Sequence, residues 1–313
     1  MTQLTSQSDR RMVLTPWARW AAVAAVVADY YQLAKPRLTL MVVITAFIGY
    51  AMGLEASGVR GGQWSALSLM ATILGTALSC IGAGVFNQII ERHIDSNMQR
   101  TMHRPLPAGR MTTGHATIFA SICCAGGVVV LAHFTHLLSA LLAATCILSY
   151  VLLYTPMKRL SSVSTIVGAI PGALPPMIGF AAATGTIEAR AWMLFAILFL
   201  WQLPHFLAIA WLYREDYAQA GLEMLPAIDH DGASTFRYIL LGCLALLPLG
   251  LMPALLGISG VVYFFVALGA GVVFLIFGVM LVMGRTRWHA RALFFASLAY
   301  LPVVFTTMWM DRI

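Results

Sequence analysis

The chain has 313 residues, of which 60% are hydrophobic and only 10% are charged, and its mean hydropathy is +0.83. Because soluble domains carry about 25% charged residues, this composition excludes a soluble globular protein. The net charge of +7 does not indicate nucleic-acid binding, since the basic residues flank long apolar stretches, as they do in membrane proteins.

Residues 1–37 predict a cytoplasmic N-terminal segment that contains a short interfacial helix. Its apolar run, residues 20–27, is too short to span a bilayer. The aromatic residues around this run suit the headgroup layer of a membrane. They are Trp17, Trp20, Tyr30 and Tyr31. No small-residue cleavage site follows, so we do not expect a cleaved leader.

Residues 38–313 predict a single transmembrane domain, because no connection between the apolar stretches is long enough to fold by itself. A bilayer-spanning helix needs ~20 mostly apolar residues, and this requirement predicts an all-α, polytopic bundle of nine transmembrane helices. The predicted spans are about 38–56, 66–91, 116–133, 137–154, 165–184, 191–213, 236–256, 260–282 and 290–310.

The distribution of basic residues predicts the orientation of the bundle. Of the 19 Lys and Arg residues, only Arg60, Arg190 and Arg312 fall on the side opposite the N-terminus. The positive-inside rule then predicts a cytoplasmic N-terminus and an external C-terminus. We expect the chain to lie in the cell inner membrane. Seven of the 12 acids lie in the two longest connections, about 92–115 and 214–235, or directly beside them, as Glu91 does. We therefore expect the active site at the cytoplasmic side.

Three polar residues follow one another at intervals of four where the second span ends: Asn87, Glu91 and Asp95. Such spacing places them on one stripe of an α-helix. They could simply cap a solvated helix end. However, like charges four residues apart repel each other, and a hard divalent cation would offset that repulsion. Magnesium is typically held by one or two carboxylates together with substrate phosphates, so the stripe predicts a magnesium diphosphate site.

Basic residues close to this stripe are candidates for holding the outer phosphate oxygens. Arg100 and Arg104 follow the acids directly, and Lys158 and Arg159 occupy the next connection on the same side. Arg can bind phosphate in a bidentate manner. The alternative is that these residues only flank membrane spans, which is sufficient to account for Arg159.

The order Asn87-x3-Glu91-x3-Asp95-x4-Arg100-Thr101-x2-Arg104-Pro105-Leu106 resembles the first signature of the UbiA-type intramembrane prenyltransferases. Further strings along the chain are similar to that family. They are Asp29-Tyr-Tyr-x3-Lys35-Pro36-Arg37, Tyr154-Thr155-x2-Lys158-Arg159, Gly172-Ala-x-Pro175-Pro176-x2-Gly179, Trp201-Gln202-x-Pro204-His205-Phe206 and Asp216-Tyr217-x2-Ala220-Gly221-x2-Met224-Leu225-Pro226. The last two strings resemble the haem-farnesylating branch.

The resemblance implies a central cavity in which Mg²⁺ bridges two acidic motifs to a prenyl diphosphate. It implies a first metal cluster at Asn87, Glu91 and Asp95 and a second at Asp216. Tyr213 stands where many family members have an earlier Asp of the second motif, so Glu215 is a substitute ligand whose role stays open. These metal-binding residues, apart from Glu215, are also the expected catalytic residues.

For the haem branch, the resemblance implies farnesyl diphosphate and haem b as substrates and transfer to the 2-vinyl group, which gives haem O. It further implies haem A synthase or terminal oxidase assembly as partners, besides the lipid bilayer. A dry aromatic lining would protect an allyl cation from water. The candidates for that lining are Trp201, Phe206, Trp211 and Tyr213.

His205 lies inside a predicted span, where histidine is uncommon and usually faces the protein interior. It could contact or ligate haem, or it could hydrogen-bond a neighbouring helix. Two other functions are alternatives for the whole chain. One is prenylation of a 4-hydroxybenzoate-like or chlorophyll-type acceptor. The other is membrane transport, which the clustering of acids at one face disfavours.

Overall fold

The computed structural model describes residues 16–56 and 65–313, and twelve helices account for most of them. They are α1 (Pro16–Ala34), α2 (Pro36–Ala56), α3 (Ala66–Asp95), α4 (Thr113–Phe134), α5 (Leu137–Met157), α6 (Ser164–Thr184), α7 (Ala189–Leu212), α8 (Arg214–Gln219), α9 (Leu225–Ile228), α10 (Ala233–Leu255), α11 (Val261–Gly284) and α12 (Arg287–Met310). Arg60, predicted on the side opposite the N-terminus, and the first part of the N-terminal segment lie outside the described residues.

Nine helices within the described ranges are long and apolar enough to cross a membrane, which confirms the predicted all-α, polytopic bundle. They are α2 to α7 and α10 to α12. The largest difference in bounds is at α3, which continues to Asp95 instead of ending near residue 91. The apolar pattern stops where the polar side chains begin, but the helical hydrogen bonding does not.

Close approach of helix backbones packs the bundle around α2, α3 and α6. A side chain at Gly49 would collide with the backbone of Pro176, and one at Gly179 would collide with the backbone of Ala46. Small residues at such crossings are typical of membrane helices, where close van der Waals packing replaces the hydrophobic effect. The α2–α6 contact therefore depends on these two glycines.

Helix α1 lies on the outside of the bundle, and most of its side chains are exposed, including Trp17, Trp20 and Tyr31. Its contacts with the bundle include two hydrogen bonds. Arg110 donates to Asp29 at 2.9 Å, and the Nε2 atom of Gln88 donates to the carbonyl of Leu33 at 2.9 Å. The proposed location of α1 in a membrane interface stays a prediction.

At the end of the bundle opposite Asp95, the last residues of the chain close off α11. The backbone N–H of Tyr263, in the first turn of α11, donates to the Oδ2 of Asp311 at 2.6 Å. The carbonyl of Asp311 accepts from the N–H of Gly260 at 2.5 Å, and Arg312 pairs with Glu55 of α2 at 2.5 Å. Asp311 thus supplies the helix cap from a distant part of the chain.

We expect Asp311→Ala to lower the free energy of unfolding in detergent by about 1.5–3 kcal/mol, the range for a hydrogen bond to a charged group. Asp311→Asn keeps an oxygen acceptor and should lose less. Thermal or denaturant unfolding of the purified variants measures both. An Asp311→Ala protein as stable as the wild type would contradict this capping role.

Candidate active site

The stripe predicted on α3 is formed, and its three side chains lie on one wall of a cavity. Asn87, Glu91 and Asp95 are all buried although they are polar. The cavity has a volume of about 180 Å³ and lies at the end of the bundle where α3 and α5 end. Its other lining residues are Lys35, Met98, Arg100, Arg104, Tyr150, Tyr154, Lys158, Tyr217, Leu222 and Met224.

Each buried carboxylate has a cationic partner from a different connection. Arg104 Nη1 lies 2.6 Å from Asp95 Oδ2, and Lys158 Nζ lies 2.8 Å from Glu91 Oε1. Isolated charges would be very costly to bury, so these pairs allow the acids to occupy the interior. Apart from this contact with Lys158, Glu91 Oε1 has no hydrogen-bond partner among the described residues.

Of the four basic residues predicted to bind phosphate, three line the cavity and one does not. Arg100 lies on its exposed edge, with its guanidinium 5.3 Å from the ring centre of Tyr213. Arg104 and Lys158 lie deeper, at the acids. Arg159 is exposed and instead borders a neighbouring, mostly apolar cavity of about 330 Å³, which Glu91 also lines.

Lys35 lines the cavity, although its position in the sequence did not mark it as a site residue. It lies between α1 and α2 with φ +47°, in the left-handed region, and the following Pro36 starts α2. Burial lowers the pKa of Lys35 to about 8, and the nearby charges of Arg104 and Lys158 act in the same direction. The signal in the sequence that could have identified Lys35 is the Lys35-Pro36 string, which is similar to the UbiA-type family.

Three tyrosines also line the cavity and were not predicted: Tyr150, Tyr154 and Tyr217. The first two are four residues apart in a π-helical turn of α5, residues Ser149–Tyr154. Lys158 Nζ lies 4.5 Å from the ring centre of Tyr154. A π-helical turn cannot be read from hydrophobic periodicity, so the direction of these rings was not predictable from the pattern of residues.

The second acidic motif is placed differently from the first. Glu215 is exposed and Asp216 is half-buried in α8, and neither lines the cavity. The next residue, Tyr217, does line it. The segment that follows packs on the first connection, since Leu222 and Met224 contact Met98. Metal binding by Glu215 and Asp216 therefore stays a prediction that this cavity does not support.

The side chains predicted to form an aromatic lining do not line this cavity either. His205 is buried, with its Nδ1 atom 2.6 Å from Ser297 Oγ of α12, and its ring stacks on Trp201 at 4.6 Å between ring centres. Trp201 donates to the carbonyl of Ser297 at 2.7 Å. These contacts support the hydrogen-bonding interpretation of His205, which lies outside the lining of the Asn87 cavity.

The other aromatic candidates are likewise absent from that lining. Phe206 is half-buried beside His205, and Trp211 packs on Phe236. Tyr213 is exposed under Arg100. Contact of these side chains with a prenyl chain or with haem stays a prediction.

The residues of the cavity fit a magnesium ion bound together with a phosphate ligand. Within the described ranges, no group of three His, Cys, Asp or Glu side chains is arranged to hold a metal. Two carboxylates and one amide are present, and Lys158 is the one partner that the described residues give to the buried Oε1 atom of Glu91. Magnesium accepts this kind of partial protein ligation when substrate phosphates complete it.

Comparison with known proteins identifies a family. Residues 42–301 match the model of the UbiA prenyltransferase family. The protoheme IX farnesyltransferase of Solibacter usitatus is 46% identical over 291 residues, which cover 91% of this chain and 98% of the relative. The enzyme of the same name from Koribacter versatilis is 40% identical over 93% of this chain and 95% of its own length.

Solved structures share the fold at low identity. A digeranylgeranylglyceryl phosphate synthase has a TM-score of 0.74 at 17% identity, covering 91% of this chain and 98% of that one. A UbiA homolog from Archaeoglobus fulgidus, bound to GPP and Mg²⁺, has a TM-score of 0.62 at 14% identity, covering 90% and 99%. These likenesses confirm the architecture of the bundle.

Lys35 provides a test of the cavity as an anion site. With a pKa of about 8, its ammonium group loses most of its charge between pH 7 and pH 9. This loss should weaken the contribution of Lys35 to pyrophosphate binding about tenfold. In Lys35→Arg the side chain stays charged over this pH range. Its affinity for pyrophosphate should therefore change less between pH 7 and pH 9 than that of the wild type, by the share that Lys35 contributes. Calorimetric titration measures both proteins with the same ligand. Identical pH profiles would contradict this role for Lys35.

Proposed function

Since this chain belongs to the UbiA prenyltransferase family, we propose that it binds farnesyl diphosphate in the Asn87 cavity and transfers the farnesyl group to protohaem IX (haem b). The names of its curated relatives support this pair of substrates. The family also removes the transport alternative, because its members are prenyltransferases. We further propose that farnesyl is transferred to the 2-vinyl group and that the product is haem O.

The observation that carries the proposal is the charge of the cavity. Two carboxylates, Glu91 and Asp95, share it with four cationic side chains, namely Lys35, Arg100, Arg104 and Lys158. The cations exceed the anions by two when Lys35 is protonated. A diphosphate is the kind of ligand that such an excess attracts, and the volume of about 180 Å³ suits a headgroup more than a porphyrin.

We propose that Asn87, Glu91 and Asp95 hold Mg²⁺ when the diphosphate is present. The bound ion would supply positive charge to the departing diphosphate. Arg104 and Lys158 then exchange partners: each leaves its carboxylate and takes up phosphate oxygens, Arg104 in a bidentate manner. Arg100, at the exposed edge, is suited to the terminal phosphate.

Ionisation of the allylic diphosphate leaves a carbocation close to the aromatic walls. The faces of Tyr150 and Tyr154 are suited to stabilise it, since aromatic rings attract cations. Tyr154 already faces the ammonium of Lys158. The vinyl group attacks this cation, and water then adds to the resulting cation next to the porphyrin ring, with loss of a proton, to form the hydroxyethylfarnesyl arm.

We propose that the cavity opens toward the cytoplasm, with the N-terminus on the same side and the C-terminus outside. The support is the concentration of Lys and Arg at this end of the bundle. A cell inner membrane location, and delivery of the product to haem A synthase or to terminal oxidase assembly, are parts of the same proposal.

The activity is tested by incubating the purified protein with haem b, farnesyl diphosphate and Mg²⁺. We expect haem O by mass spectrometry, and no product when either substrate is omitted. Parallel reactions with 4-hydroxybenzoate test the alternative acceptor. Robust prenylation of 4-hydroxybenzoate without any haem O would contradict the proposal and favour the aromatic acceptor.

Asp95→Ala tests the role of the acids. We expect a loss of activity of about a hundredfold or more, because the variant loses a metal ligand and leaves Arg104 without its partner. Glu223→Ala is a matched control, since Glu223 is an exposed acid on the same side of the bundle. Gel filtration in detergent verifies that both variants are folded. Wild-type turnover by folded Asp95→Ala would refute the metal role.

A further inference from the structure

A hydrogen-bond relay joins Asn87 of α3 to the π-helical turn of α5. Asn87 Nδ2 donates to Thr155 Oγ1 at 3.1 Å, and Thr155 Oγ1 donates to the carbonyl of Tyr150 at 2.8 Å. Asn87 and Thr155 are both buried. The relay reaches from a proposed metal ligand into a neighbouring helix, so it can fix the orientation of that ligand.

The π-helical turn is what brings Thr155 to this place. The backbone N–H of Thr155 bonds to the carbonyl of Tyr150, five residues earlier, instead of four as in an α-helix. One residue corresponds to ~100° of rotation about a helix axis. A regular α5 would therefore turn Thr155 away from α3. Such turns occur frequently at functional sites.

The single proton of the Thr155 hydroxyl determines which way the Asn87 amide points. Because that proton is donated to Tyr150, the hydroxyl oxygen is available only as an acceptor. It is therefore matched by the NH₂ group of Asn87 and not by its carbonyl oxygen. A flipped amide would place two acceptors against each other, unless Thr155 gave up its bond to Tyr150.

We propose that Thr155 is a positioning residue that keeps the Oδ1 atom of Asn87 available to the cavity as a metal ligand. Only this oxygen of the amide can bind Mg²⁺, since the NH₂ group has no free lone pair for a hard cation. Residues that orient metal ligands in this way strongly affect metal affinity. The inference rests on the proposed function, because it assumes that Mg²⁺ and the prenyl diphosphate bind together.

The test measures binding without turnover. A farnesyl thiolodiphosphate that ionises very slowly is titrated by calorimetry at increasing Mg²⁺ concentrations. We expect Thr155→Val, which has the same shape but no hydroxyl, to raise the half-saturating Mg²⁺ concentration about tenfold. Thr155→Ser keeps the hydroxyl and should stay close to wild type. Thr155→Ala is a second variant with the same expected shift, in case the valine protein does not fold.

Two further proteins separate positioning from a general structural effect. Thr145→Val removes a hydroxyl from the same helix, where Thr145 is exposed and its hydroxyl donates to the carbonyl of Leu141, and we expect no shift. In Asn87→Asp the side chain carries two equivalent oxygens, so either orientation of the carboxylate offers a metal ligand. In that background, Thr155→Val should change the Mg²⁺ requirement by no more than about twofold.

The outcomes distinguish this inference from the proposed function. Equal shifts by Thr155→Val in the wild-type and Asn87→Asp backgrounds would show a structural role and overturn the inference, as would no shift in either. Absence of any Mg²⁺-dependent binding in the wild type would overturn the proposed function itself, together with the inference that rests on it.

Discussion

The structure depends on keeping two ionised carboxylates buried at the end of a membrane helix. Glu91 and Asp95 are nearly inaccessible, and each is balanced by one cation, Lys158 or Arg104. These two cations come from different connections, so the ion pairs also hold the loops at this end of the bundle against α3. Removing one partner of a buried pair leaves an uncompensated charge, which is usually more costly than the pair itself is favourable. Loss of one partner, without a ligand that replaces it, should therefore destabilise this end of the bundle.

This arrangement explains how one set of residues can serve both stability and binding. Without a ligand, Arg104 neutralises Asp95 and Lys158 neutralises Glu91. In the proposed complex with a metal and a diphosphate, each of these four groups would find a new partner of opposite charge. Asn87 is neutral and has no such choice, so its orientation has to be set by a hydrogen bond, which Thr155 supplies. The π-helical turn of α5, which brings Thr155 to Asn87, therefore belongs to the same site as the two ion pairs.

The sequence predicted the nine spans and the first acidic stripe, because both follow from local periodicity and from the cost of polar groups in an apolar chain. It did not predict Lys35, Tyr150 or Tyr217, since their contribution depends on a left-handed residue, a π-helical turn and the packing of distant segments. Conversely, His205 was marked by its rarity in a membrane span, but its observed partner, Ser297, is 92 residues away. A residue type can indicate burial without indicating which cavity it faces.

The central claim is that the partners of Glu91 and Asp95 are exchanged for a metal and a diphosphate. It is tested most directly by a crystal structure with farnesyl thiolodiphosphate and Mn²⁺, whose anomalous signal locates the ion. We expect an anomalous peak in contact with Asn87, Glu91 and Asp95, with Arg104 and Lys158 moved from the carboxylates to phosphate oxygens. A peak elsewhere in the protein, or a bound diphosphate with both ion pairs intact, would contradict this account.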